Sequence, residues 1–228
     1  MPIWGIDLGG TKIEGVVLND DKVPKILVRK RIDTEAAQGY HHIISRIKLL
    51  IDTMAHELGY FPEKIGLGTP GAIDPISGLM KNANTTILNG RCFKEDVKKA
   101  LGIPLQMAND ANCFALAEYK MGIVARELPQ ANVVFGVIMG TGVGGGIVVN
   151  GQLIHGRQGI GGEWGHNFLD VSGGPCYCGK TGCVETVISG KNLERYHHEK
   201  FHESKKLKDI YQGYLSGTSP NDTHTINR

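Results

Sequence analysis

The 228 residues contain no apolar run near the roughly 18 that a membrane-spanning helix needs. That excludes a helical membrane span. The opening Met1-Pro-Ile-Trp-Gly-Ile-Asp7 has neither a basic segment nor an apolar one. No secretory signal is expected, and the cytoplasm is the expected compartment. Charge of one sign is lacking too. The 25 Lys and Arg nearly balance 23 Asp and Glu, leaving a formal net charge of +2. Nothing there points to a nucleic acid or an anionic membrane as partner. Cysteine is scarce and odd in number, at five, which argues against a disulfide framework and for a reducing compartment. Cys92 and Cys113 are expected to be small inert core residues. Aromatic residues make up only 7%.

Glycine is what the chain has in excess. Its 32 glycines gather around Gly9, Gly140 to Gly146 and Gly159 to Gly165. Clustered glycine indicates backbone that approaches a ligand closely. Between the clusters, strands and helices alternate. Strands are expected at Ile3 to Leu8, Lys12 to Leu18, Ile26 to Ile32, Ile65 to Thr69, Pro104 to Ala108 and Val133 to Met139. Ile147 to Val149 reads as the far arm of a hairpin closed by the glycine run. Ile43, Ile44, Ile47, Leu50, Ile51, Met54 and Leu58 recur at helical spacing within 36–58, and Gly59 stops that helix. Further helices are expected at Phe93 to Leu101 and Asp110 to Met121, with polar ones over 191–215. The alternation predicts an α/β architecture. The strand, glycine turn, strand layout occurs twice, which predicts two similar lobes facing a cleft. The expected division is 1–115 and 116–228, with the boundary region at 110–131.

Three thiols crowd into Cys176-Tyr-Cys178-Gly-Lys-Thr-Gly-Cys183, shortly after Glu163-Trp-Gly-His166. Cys176, Cys178, Cys183 and His166 make the ligand set of a closed structural zinc site. The metal would aim the flanking carboxylates, Glu163 and Glu185. The other histidines read as solvated and without partners. In Asp7-Leu-Gly-Gly-Thr-Lys12, a strand-end carboxylate precedes a turn whose N–H groups can cradle phosphate. Asp7 can hold Mg²⁺ through water, Gly9, Gly10 and Thr11 line the turn, and Lys12 adds positive charge. A plain tight hairpin is the alternative. The turn leads into a strand, so it is neither a P-loop nor a dinucleotide fingerprint. Gly140-Thr141-Gly142 repeats the layout, and two such turns can clamp a polyphosphate. Asp110 starts a helix, where it is either an N-cap or a general base for a substrate hydroxyl. Lys81-Asn-Ala-Asn84 is either an Asx turn or a polar binding loop.

Taken together, these motifs resemble the ROK family of sugar kinases, with Gly68-Thr-Pro-Gly71 and Asn109-Asp110 in matching order and spacing. The likeness runs from about residue 3 to residue 190. It is greatest to bacterial ROK fructokinases, through Lys81-Asn-Ala-Asn-Thr85, Leu88-Asn-Gly90, Asn109-Asp-Ala-Asn-Cys113 and Cys176-Tyr-Cys-Gly-Lys180. The resemblance implies an actin-like, ribonuclease-H-like two-lobed fold and ATP-dependent phosphorylation of a hexose with Mg²⁺. Fructose, giving fructose 6-phosphate, is the expected substrate. Glucose and N-acetylhexosamines are the alternatives. It implies Asp110 as general base, sugar hydroxyls on Asn84, Asn109, Asp110, Glu163, His166 and Glu185, and backbone at Gly71. His166 would give one ring nitrogen to structural zinc and turn the other toward the sugar. It also implies a homodimer.

Members of the family usually run near 300 residues and end with a glycine-rich turn and a long helix that helps bind adenosine. This chain ends at Asn227-Arg228, so the C-terminal part of the second lobe is expected to be missing and apolar surface uncovered. Two rivals follow. A sugar-sensing repressor would need a DNA-binding segment before the first strand, and Ile3 leaves no room for one. A non-catalytic sugar-binding fragment would follow from an incomplete site.

Overall fold

The computed structural model describes residues 1–21 and 23–228. Its strands are β1 (Ile3–Leu8), β2 (Lys12–Leu18), β3 (Ile26–Asp33), β4 (Ile65–Thr69), β5 (Ala72–Ile73), β6 (Met80–Lys81), β7 (Leu105–Asn109), β8 (Val133–Met139), β9 (Val143–Val149) and β10 (Gln152–Leu153). Its helices are α1 (Tyr40–Leu58), α2 (Phe93–Leu101), α3 (Asp110–Lys120), α4 (Ile123–Glu127), α5 (Val184–Ile188), α6 (Gly190–Phe201), α7 (Leu207–Ser216) and α8 (Pro220–Ile226). Two compact units emerge. One holds residues 1–134 with 147–161, the other 135–146 with 162–228.

The first unit is built on a five-stranded sheet in the order β3-β2-β1-β4-β7. β1 pairs antiparallel with β2 and parallel with β4, and β4 pairs parallel with β7. Three meandering strands therefore lead into two crossovers. Buried and more exposed positions alternate along β1 and β2, so one face of each strand lies in the core. Trp4, Ile6, Leu8, Ile13 and Val17 meet Ile43, Ile47, Leu50, Ile51 and Met54 of α1, all at most 3% exposed. Each such side chain contributes roughly 1.5–3 kcal/mol on full burial. Phe93 and Val97 of α2 extend the same core. The three parallel strands end on one side of the sheet, at Leu8, Thr69 and Asn109, with Asp7 in the last β1–β4 pair, where ligands of parallel sheets bind.

The second unit carries α5 to α8 and the cysteine loop. A three-stranded sheet has the order β10-β9-β8. The glycines at 144–146 lie inside β9, so only Gly140 to Gly142 form the turn. Cys92 is exposed and Cys113 half-buried, so neither is the core thiol expected. Cys92 stands at the N-cap of α2, and the adjoining Phe93 takes the buried place. His197 is fully buried, contrary to the solvated reading of the histidines. Others have partners too. His42 meets Glu35, and His224 stacks on Tyr196.

Candidate active site

The ends of β1, β4 and β7 gather the chemistry of the first unit. Asp110 is the first residue of α3, but the cap is Asn109, whose Oδ1 accepts from the N–H groups of Ala111 at 2.9 Å and Asn112 at 3.3 Å. Asparagine at this place satisfies orphan amides of the first turn. The Asp110 carboxylate accepts only from Ala111 N–H, at 2.8 Å, among the described bonds. Asp7 sits close enough for Asp110 to affect it. Partial burial raises the Asp7 pKa most. The charge of Asp110 adds to this, Glu14 adds less, and Arg31 opposes. Cys113 lies on the same floor. Burial first, then Asp110 and Asp7, push its thiol up to about 11. At neutral pH that thiol is no nucleophile. Two neighbouring carboxylates at a strand edge make a donor set suited to a hard divalent cation such as Mg²⁺.

The Gly9–Lys12 turn is pinned. Gly9 N–H donates to Lys12 O at 2.9 Å, and buried Thr34 reaches both ends through its N–H to Thr11 O at 2.9 Å and its hydroxyl to Gly9 O at 2.8 Å. Lys12 pairs with Asp33 on the surface. The loop carrying Asn84 is also fixed. Asn89 clamps Ala83, accepting from its N–H at 2.9 Å and donating to its carbonyl at 3.1 Å. Lys81 bonds Asp74 at 2.8 Å, which holds the Asp74 carboxyl well below the usual range. Gly71 packs against this loop with φ +134°. A Cβ there would fall 2.7 Å from Lys81 O and 2.8 Å from Ala83 N. Only glycine fits.

In the second unit, the side-chain ligand atoms of His166, Cys176, Cys178 and Cys183 lie within 4.8 Å of one another. Tetrahedral zinc with Zn–S near 2.3 Å and Zn–N near 2.0 Å spaces its ligands about 3.5–3.8 Å apart. The structure has His166 Nδ1 3.5 Å from Cys176 Sγ, and Cys178 Sγ 3.6 Å from Cys183 Sγ. The donor set and its spacing fit zinc. His166 Nε2 faces Tyr177 Oη at 3.0 Å, so the nitrogen expected to meet the sugar has a protein partner. Glu185 Oε2 accepts from Val143 N–H at 2.9 Å, and its own N–H donates to Gly165 O at 2.9 Å. Its carboxylate therefore stands against the Gly140–Gly142 turn. A Cβ on Gly142 would lie 2.5 Å from Glu185 Oε2. Sequence reasoning missed the Asn89 clamp and the Thr34 pin. Their signal, Asn or Thr in a loop, is common to ordinary turns.

The sequence model of the ROK family matches residues 3–219. An N-acetyl-D-glucosamine kinase from Vibrio atlanticus is 34% identical over 97% of this chain and 74% of its own length. One from Aliivibrio fischeri is 32% identical over 94% of this chain and 71% of its own. Among solved structures, a ROK hexokinase from Thermus thermophilus is similar with a TM-score of 0.81 and 29% identity, covering 99% of this chain and 72% of that one. A ROK family glucokinase from Streptomyces griseus, in complex with glucose and AMPPNP, has a TM-score of 0.75 and 26% identity, covering 99% and 74%.

Proposed function

The chain belongs to the ROK family and is a phosphotransferase acting on a sugar hydroxyl, and from that premise we propose that it moves the γ-phosphoryl group of ATP to a hexose with Asp110 as general base. Its fold is the actin-like, ribonuclease-H-like one. The observation that carries the proposal is the pairing of Asp7 and Asp110 on one strand edge of the first unit, with the capping duty taken by Asn109. A carboxylate that holds one amide, with the cap supplied by its neighbour, keeps an oxygen that can accept the hydroxyl proton as the new P–O bond forms. The glycine turns at 9–12 and 140–142 offer backbone N–H groups to the phosphates. Asp7 would hold Mg²⁺, which supplies charge neutralisation for the phosphates.

On the sugar, we assign Asn84, Asn109 and the Gly71 backbone in the first unit, and Glu163, His166 and Glu185 in the second. Zinc on His166, Cys176, Cys178 and Cys183 would fix the loop that carries these groups. N-acetyl-D-glucosamine heads the substrate reading, because kinases named for it are 32–34% identical to this chain. Fructose is the second reading, favoured by Lys81-Asn-Ala-Asn-Thr85 and the cysteine loop. An ADP-release assay with ATP and N-acetylglucosamine, fructose, glucose or mannose tests both. Turnover of N-acetylglucosamine well above the rest supports the first reading. Preference for fructose replaces it by the second, and ADP release with no hexose at all overturns the proposal.

A further inference from the structure

Outside the cysteine loop, a second group of ligand-type side chains meets in the second unit. His197 of α6, Glu203 of the following segment and Asp222 of α8 bring three ligand atoms within 4.8 Å of one another. His197 Nε2 stands 3.5 Å from Glu203 Oε2 and 3.5 Å from Asp222 Oδ1. Both separations are long for hydrogen bonds. They match the spacing of about 3.4 Å between N and O ligands of a tetrahedral ion with bonds near 2.1 Å.

The tautomer of His197 can be read from its neighbours. Thr225 Oγ1 donates to Asn221 O at 3.0 Å, so it accepts from His197 Nδ1–H at 2.8 Å. Nε2 is then left with a lone pair directed at two carboxylates. It is fully buried and has no hydrogen-bond partner. A lone pair facing anions in a buried place calls for a cation. Lys205 meets the same oxygens, 2.8 Å from Glu203 Oε2 and 3.0 Å from Asp222 Oδ1. It satisfies the carboxylates but leaves Nε2 orphaned. Two carboxylates and a neutral imidazole balance a divalent ion; with one ammonium they leave a charge of −1.

The surroundings orient each ligand as outer partners of a metal site do. Thr225 holds the far nitrogen of His197, and Asn221 Nδ2 donates to Glu203 Oε1 at 2.7 Å. Asp222 is wedged against α7, where a Cβ on Gly213 would lie 1.9 Å from its Oδ2. Lys205 belongs to the non-helical segment 202–206 and is partly exposed, so its ammonium can withdraw to solvent.

We propose that His197, Glu203 and Asp222 bind a divalent cation of the zinc class, with Lys205 displaced to solvent and the fourth position open to water. Imidazole with carboxylates suits Zn²⁺ or Co²⁺ better than Ca²⁺. The site ties α6 to α8.

The test is the zinc content of the whole chain after dialysis against buffered Zn²⁺. The wild type is expected to hold two equivalents. His197→Gln is expected to lose one. Cys178→Ser is expected to lose the other, which separates this site from the cysteine loop. Lys205→Ala keeps every ligand, and its affinity at this site is expected to rise about 5- to 10-fold, because the competing ammonium is gone. The proposal is overturned if His197→Gln and Lys205→Ala both hold as much zinc, as tightly, as the wild type. It is also overturned if Cys178→Ser holds none. A wild type that holds one zinc equivalent, all of it lost in Cys178→Ser, likewise overturns it.

Discussion

Gly71→Ala places a methyl group where the first unit has no room. The added carbon would lie 2.7 Å from Lys81 O and 2.8 Å from both Ala83 N and Ala83 Cα. These are backbone atoms of the loop that presents Asn84, and they cannot swing aside as a side chain does. The backbone at φ +134° adds a second cost, about 1–3 kcal/mol for a residue that is not glycine. Forced repacking adds roughly 1–3 kcal/mol more. The sum is about 2–6 kcal/mol, or roughly 4–24 °C in melting temperature for a unit of this size. Gly78→Ala is the control. Its φ is +72°, but nothing lies within 4 Å of the added carbon. It should lose only the backbone part, about 1–2 kcal/mol. Thermal melts of both variants read the difference, and sugar KM reads the displaced loop. Gly71→Ala should melt lower than Gly78→Ala and show a raised KM. Equal melting temperatures with an unchanged KM would refute the close-packing argument.

Other expectations follow from the same geometry. Asp110→Asn should lower kcat by at least ~10²-fold with little change in sugar affinity, since a positioned base contributes about 10²–10⁴. Steady-state kinetics beside calorimetric sugar titration separates the two effects. Asp7 has a folded pKa above its unfolded one, so its ionisation destabilises the ligand-free fold as pH rises through the folded value. Asp7→Asn should therefore raise the ligand-free melting temperature at neutral pH. The gain should fade below the unfolded carboxylate pKa near 4; a gain that persists unchanged at pH 3 would contradict it. Cys178→Ser should lower zinc content and raise sugar KM before it changes kcat, and an unchanged KM in the zinc-depleted variant would detach the metal loop from sugar binding. Asn89→Ala removes both bonds to Ala83. It should cost roughly 1–3 kcal/mol and raise sugar KM, and a KM equal to wild type would show that Asn84 needs no such clamp.

Much of the fold is legible in the residues because its signals are local. The strands at 3–8, 12–18, 65–69 and 133–139 fall where apolar runs and glycine turns put them. The helix expected from residue 36 begins at Tyr40, after a short 3₁₀ turn at Ala36–Gln38. Apolar spacing marks the buried stripe and says little about where the first turn closes. β5, β6 and β10, each two residues long, carry no period at all. The cysteine cluster is legible because its ligands lie close in sequence. His197 is not, since its partners stand 6 to 28 residues away on other elements and its neighbours are polar. Asp110 is a halfway case. The residues alone favour a cap there, the family resemblance implies a base, and only the geometry of Asn109 gives capping to the neighbour.

The most direct test of the central claim is phosphoryl transfer itself, followed with γ-labelled ATP and the preferred hexose, in the wild type and in Asp110→Asn. The account predicts labelled sugar phosphate from the wild type, and from the variant a rate lower by two orders of magnitude or more while the sugar still binds. Transfer by Asp110→Asn at a rate near that of the wild type would contradict it.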